Sequence, residues 1–96
     1  MQTVTKSQKP ARVTNYMEII ANDILEGILP EYKDVRFSPD AKKDIKAFAL
    51  NRLWPMYITT SQGENFVKKI IVEDKIEKDV ARELRAAIDK IRSNPR

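Results

Sequence analysis

Apolar residues recur along this chain at intervals of three and four in four stretches, separated by polar caps and prolines. That spacing puts the apolar side chains of each stretch on one face of a helix. The first stretch carries Met17, Ile20, Ala21, Ile24 and Ile28. Asn15 and Glu18 stand before it with the reciprocal spacing of a capping box, and Pro30 stops it after Leu29. Tyr16, Ile19, Leu25 and Leu29 widen its stripe beyond what one neighbour covers. Two packing partners are expected, with a second subunit as one candidate.

Residues 31–37 read as a connecting loop, and Ser38-Pro39 as a restart. A serine cap with proline at the first helical position costs no hydrogen bond, because the first amides have no intrahelical acceptor; a second helix is predicted over 39–53. Trp54 precedes Pro55 and is pushed out of the helical region. The β-branched run from Tyr57 suits a short strand, but no second good strand is available, so 57–60 is read as extended loop. Ser61 and Glu64 repeat the capping-box spacing, and Phe66, Val67, Ile70 and Ile71 carry a third helix to about residue 72. Ile76, Val80, Leu84, Ile88 and Ile91 are out of phase with that face, and Asp74 with Glu77 offers another capping box. A break near 73 and a fourth helix ending at Asn94-Pro95 follow. The fold class is all-α, a small bundle of about four helices. Residues 1–13 lack apolar periodicity and are read as a disordered basic arm; 14–96 form a single domain.

Ninety-six residues bury one modest core without disulfide or metal staples. The chain has no cysteine and no histidine, which removes thiolate nucleophiles, Cys/His zinc sites and the usual neutral-pH general base. Neither a catalytic nor a metal-ligating residue is expected, and no cofactor. The net charge is +4, but Lys6, Lys9, Arg12, Arg92 and Arg96 sit at the ends and leave the middle near neutral. A nucleic-acid partner is therefore disfavoured. No apolar run approaches the roughly 18 residues of a membrane span, and the N-terminal stretch lacks the apolar core of a secretory signal, so the expected address is cytoplasmic, without membrane insertion.

The stretch Ala49-Leu50-Asn51-Arg52-Leu53-Trp54-Pro55-Met56-Tyr57 is the least ordinary in the chain. Ala41, Ile45 and Phe48 continue at helical spacing onto Arg52 instead of another apolar residue. Two readings of this arginine stand side by side. It caps the carbonyl end of the second helix while its stem packs on the core; or its planar fork, with Asn51 beside it, serves a phosphate, a carboxylate or a guanine edge. Trp54 and Tyr57 offer flat surfaces for a base, or plug the core. Thr59, Thr60 and Ser61 bring hydroxyls and free amides to the start of the third helix, where an anion is favoured, or where Ser61 is simply the N-cap.

A leading helix at Thr14-Asn15-Tyr16-Met17-Glu18, then Asp44-Ile45 running into the Ala49 to Tyr57 stretch and a Thr/Ser-rich turn with Gly63, resembles the late-competence protein family ComFB. The resemblance spans about 15–91 and is densest at 44–63. It implies an all-helical, non-enzymatic homodimer, some of whose relatives are receptors for cyclic dinucleotides, notably cyclic di-GMP, with cyclic di-AMP as the second candidate. It also raises the ligand-binding reading of Arg52 above the capping one and gives a candidate site of Asn51, Arg52, Tyr57, Thr59, Thr60 and Ser61. The function expected is a receptor that signals to a downstream protein by altering a contact; the alternative is a ligand-independent adaptor in competence or motility. Two departures stand out. Some members bind zinc through cysteines in the segment equivalent to 34–43, where this chain has none, and Trp54 stands where the family often has a second proline.

Overall fold

The computed structural model describes residues 13–33 and 35–93. The elements follow in the order β1 (Thr14–Asn15), α1 (Tyr16–Ile28), a 3-10 turn (Leu29–Glu31), α2 (Pro39–Leu50), β2 (Tyr57–Ile58), α3 (Ser61–Glu73) and α4 (Ile76–Ser93). The basic arm expected over 1–13 and the helix stop at Asn94-Pro95 fall, apart from Val13, outside the described residues.

Helix α4 is the central element, packed against each of the other three helices. Val80, Leu84, Ala87 and Ile88 recur at helical spacing and are fully buried. Its outer side carries ion pairs between Arg82 and Asp79 (3.0 Å) and between Arg92 and Asp89 (3.7 Å), as a solvated face does. Leu25 of α1 and Ile45 of α2 complete the core with Val80, Leu84 and Ile88. On α1 the buried set is Met17, Ile20, Ala21, Leu25 and Ile28, with Ile24 only half-buried. The wide stripe does meet two partners, and they are α2 and α4 of the same chain. Its width thus no longer calls for a second subunit.

Three predicted boundaries move. α2 starts as expected, with the Ser38 Oγ accepting from the Ala41 N–H (3.0 Å) and Pro39 at the first position. It ends at Leu50, not at 53, because the chain tightens: the Arg52 N–H donates to the Ala49 carbonyl (3.0 Å) and Leu53 to Leu50 (3.3 Å). Such i to i+3 bonds turn the backbone out of the helix ahead of the pre-proline Trp54. The cap of α3 is Thr60 instead of Ser61, its Oγ1 accepting from the Gly63 N–H at 2.9 Å. A Cβ at residue 63 would stand 3.3 Å from that oxygen, so glycine gives the cap its room. The break between α3 and α4 lies where the change of phase puts it, but Asp74 closes α3 instead of capping α4, and Lys75 makes the turn with φ of 54°.

The reading of an all-α fold needs one correction. Tyr57 and Ile58 are a strand, paired antiparallel with β1 in the register Thr14 to Ile58 and Asn15 to Tyr57. Asn15 does more than cap α1. Its Oδ1 accepts from the Met17 N–H (3.2 Å) and from the Met56 N–H (2.7 Å), while the Met56 carbonyl accepts from the Tyr16 N–H (2.6 Å). The oxygen reaches the second residue of the helix and not Glu18, so the expected capping box is replaced by a single side chain holding both the helix start and the segment before β2.

The connection between α1 and α2 is held against α4. The carboxylate of Glu31 takes both arms of the Arg85 fork, at 2.9 and 3.2 Å. Tyr32 meets Phe37 edge to face with ring centroids 6.3 Å apart, and the Arg92 guanidinium lies 5.4 Å from the Tyr32 ring. The hydrogen bond from Arg85 holds the Glu31 carboxyl below its ordinary pKa, against a small opposing effect of burial. Among the described residues no helix is long and apolar enough to cross a membrane.

Asn15→Ala should cost about 1–3 kcal/mol, through loss of the cap and an orphaned Met56 amide; a urea midpoint close to wild type would contradict it. Thr60→Ala should cost about 1 kcal/mol and Ser61→Ala under about 0.5 kcal/mol, and the reverse order in the same assay would restore Ser61 as the cap. A carboxyl whose pKa is lowered by folding contributes stability that is complete above its unfolded pKa and lost as pH falls through its folded one. Carbon-13 NMR should accordingly find Glu31 titrating below ordinary glutamate in wild type and returning upward in Arg85→Ala.

Candidate functional site

The apolar line of α2 ends in a cation lying on an aromatic ring. Ile45 and Ala49 are buried, Phe48 is half-buried, and Arg52, one turn beyond it, is exposed with its Cζ 4.7 Å from the Phe48 ring centroid. Phe48 thus holds the guanidinium in a cation–π contact. No hydrogen bond to an acceptor is spent in such a contact, so the guanidinium keeps donor capacity for a ligand. Asn51 is the C-cap of α2, and its side chain is exposed beside Arg52.

Asn51 and Arg52 line one hollow with Leu53, Trp54 and Pro55, of about 430 Å³. Leu53 is half-buried and packs on the core, whereas Trp54 is 87% exposed. Tyr57 lies on β2 with 64% of its surface exposed, and Ile58, the next residue, is half-buried, as alternation along a strand requires. Thr59, Thr60 and Ser61 follow, all exposed. The Thr60 oxygen is committed as acceptor to Gly63, but its hydroxyl proton remains available as a donor. Ser61 is the first residue of α3, where backbone amides lack intrahelical acceptors.

The six residues of the predicted site therefore fall into two groups. Asn51 and Arg52 share a hollow; Tyr57, Thr59, Thr60 and Ser61 do not line it and continue the chain beyond Met56, which is anchored on Asn15 and Tyr16. Leu53, Trp54 and Pro55 belong to the hollow and were not in the predicted set, although Trp-Pro directly after the arginine was the available signal. A second hollow of about 350 Å³, lined by Val35, Arg36, Phe37, Ser38, Ala41, Ile91 and Arg92, went unpredicted. Its loop side was legible as Arg36-Phe37-Ser38-Pro39, but its α4 wall required the tertiary fold. Among the described residues no group of three or more Asp, Glu, His or Cys is placed to hold a metal.

One stretch of chain thus carries exposed donors, exposed rings and an amide-rich helix start, groups whose chemistry suits an anion or a flat ring. The family model for the late competence development protein ComFB matches residues 14–95. Among solved structures the fold is similar to that of the late competence protein ComFB from Bacillus subtilis, with a TM-score of 0.78 over 88% of this chain and 93% of that one. Sequence identity is 18%, so this likeness speaks for the fold alone. No curated protein matches the chain at a significant level. Because the family match runs through β1, all four helices and the hollow between α2 and β2, the chain belongs to the ComFB family.

Proposed function

We propose that this ComFB-family chain is a receptor for a cyclic dinucleotide, cyclic di-GMP before cyclic di-AMP, which passes the signal on by altering a contact with a downstream protein. The observation that carries the reading is the exposed Arg52 guanidinium, poised over Phe48 in the hollow it shares with Asn51. Its fork suits the O6/N7 edge of guanine or a phosphate, and Asn51 adds an amide beside it. Tyr57 offers a ring face, while Thr59, Thr60 and Ser61 donate to phosphate at the positive end of α3. The hollow's volume is at the small end of the roughly 300–1,000 Å³ of ligand sites, enough for part of a cyclic dinucleotide. A two-fold symmetric ligand then matches one hollow from each subunit of a cytoplasmic homodimer.

The protein acts by binding and not by catalysis. Its sequence supplies no histidine or cysteine, and of its closely spaced carboxylates Asp79 is engaged with Arg82. A second reading, a ligand-independent adaptor in competence or motility, is favoured by Phe66 and Val72, 65% and 77% exposed on α3.

Titration calorimetry against cyclic di-GMP, cyclic di-AMP and their linear forms tests the proposal. Arg52→Ala should lower affinity by about 10-fold to more than 100-fold, which corresponds to about 1.5–3 kcal/mol for a charge-assisted contact. Its melting temperature should fall by only about 2–8 °C, since the contact with Phe48 at an exposed site is worth about 0.5–1 kcal/mol. Unchanged affinity in the variant, or no binding by wild type, would replace the receptor with the adaptor.

A further inference from the structure

The strongest anomaly on the surface is an indole. Trp54 is the sole tryptophan of the chain, and at 87% exposure it is the most exposed of the large hydrophobic residues described. The backbone on both sides of it is constrained. The i to i+3 bonds of Arg52 and Leu53 turn the chain out of α2, and Pro55 restricts the backbone of Trp54 to extended conformations. On the other side, the next residue, Met56, is fixed at both its amide and its carbonyl, by Asn15 and Tyr16. The indole is thus carried on a short span anchored at both ends, a pre-ordered presentation that loses little conformational entropy when something covers it.

What covers it is indicated by the hollow. Trp54 lines the same concave surface as Asn51 and Arg52, and the other candidate ring, Tyr57, does not. The surface therefore combines a broad π face with a guanidinium two residues earlier that is in cation–π contact with Phe48. A flat heteroaromatic ring that also bears acceptors, or is joined to a phosphate, uses both at once: the ring stacks on the indole and the acceptors meet the in-plane N–H groups.

We infer that Trp54, and not Tyr57, is the stacking platform for a purine base of the ligand, an inference that rests on the receptor reading above. Stacking tolerates any purine, whereas the O6/N7 edge read by a guanidinium is peculiar to guanine. The two residues accordingly divide the work: Trp54 supplies affinity for guanine and adenine alike, and Arg52 supplies the preference between them.

The test uses the full-length protein with cyclic di-GMP and cyclic di-AMP as probes, by calorimetry and by the emission of its one tryptophan. Trp54→Ala should lose about 5-fold to 100-fold in affinity for whichever of the two wild type binds, and by similar factors where it binds both. Trp54→Phe should stay within about 5-fold of wild type, and the indole emission of wild type should change on saturation. Both variants should melt close to wild type, because the side chain contributes little to the core. If wild type binds but Trp54→Ala binds as tightly and the emission is unmoved, the platform is refuted while the receptor stands. Equal losses in the Phe and Ala variants overturn the platform as well. If wild type binds neither compound, both proposals fall together.

Discussion

One carboxamide oxygen does two jobs in this fold. Asn15 Oδ1 accepts from the start of α1 and from Met56, 41 residues further along the chain, and the Met56 carbonyl returns the link by accepting from Tyr16. These bonds join the two ends of the chain's helical first half, beside Met17, Met56 and Ile58 on the core. They set the register of β1 on β2, which sends Ile58 inward and leaves Tyr57 in water. They also end the span that begins at the last turn of α2, so that Asn51 to Pro55 forms a defined hollow. A backbone segment held only by its own loop entropy would present those side chains in many arrangements, and an arginine fork selects among ligands only when its position is determined.

The residues that hold the fold together and those of the proposed site lie in different parts of the molecule. The buried residues of the four helices carry the folding free energy, and the Glu31–Arg85 pair with the Tyr32, Phe37 and Arg92 contacts keeps the intervening loop on α4. None of this needs Trp54 or Tyr57. Burying one large apolar side chain is worth about 1.5–3 kcal/mol, so leaving two aromatic rings exposed within four residues forgoes a sizeable contribution. That unused surface is available to a ligand, and the same logic applies to Phe66 and Val72 on α3 as a site for a protein contact.

Much of the architecture was legible in the sequence because strong local signals agree with the tertiary solution. Ser38-Pro39 started α2, Pro30 ended the first helix within a residue or two, and the phase change around 73 marked a real break. The pairing of β1 with β2 was not legible: two residues are too few to show a period of two, and Thr14-Asn15 reads more readily as a helix cap. Thr60 and Ser61 are equally competent caps by chemistry, and the choice came from the room above Gly63. The width of the α1 stripe was read correctly as two partners, but a periodicity does not say which chain they belong to. At the site, Arg52 stood out as a charge on an apolar line. That it would lie against Phe48, and that Trp54 and not Tyr57 would share its hollow, depended on how the chain leaves α2.

The central claim is that the surface carried between α2 and α3, on the span anchored by Asn15, is where the ligand binds. Amide chemical-shift mapping of nitrogen-15 labelled protein with cyclic di-GMP addresses it residue by residue. The account predicts that signals of Asn51, Arg52, Leu53, Trp54 with its indole N–H, Tyr57, Thr59, Thr60 and Ser61 move together with ligand concentration. Those of Val35, Arg36, Phe37, Ser38, Ile91 and Arg92 around the second hollow should stay in place. Shifts confined to that second hollow, or a spectrum unchanged by excess ligand, would contradict it.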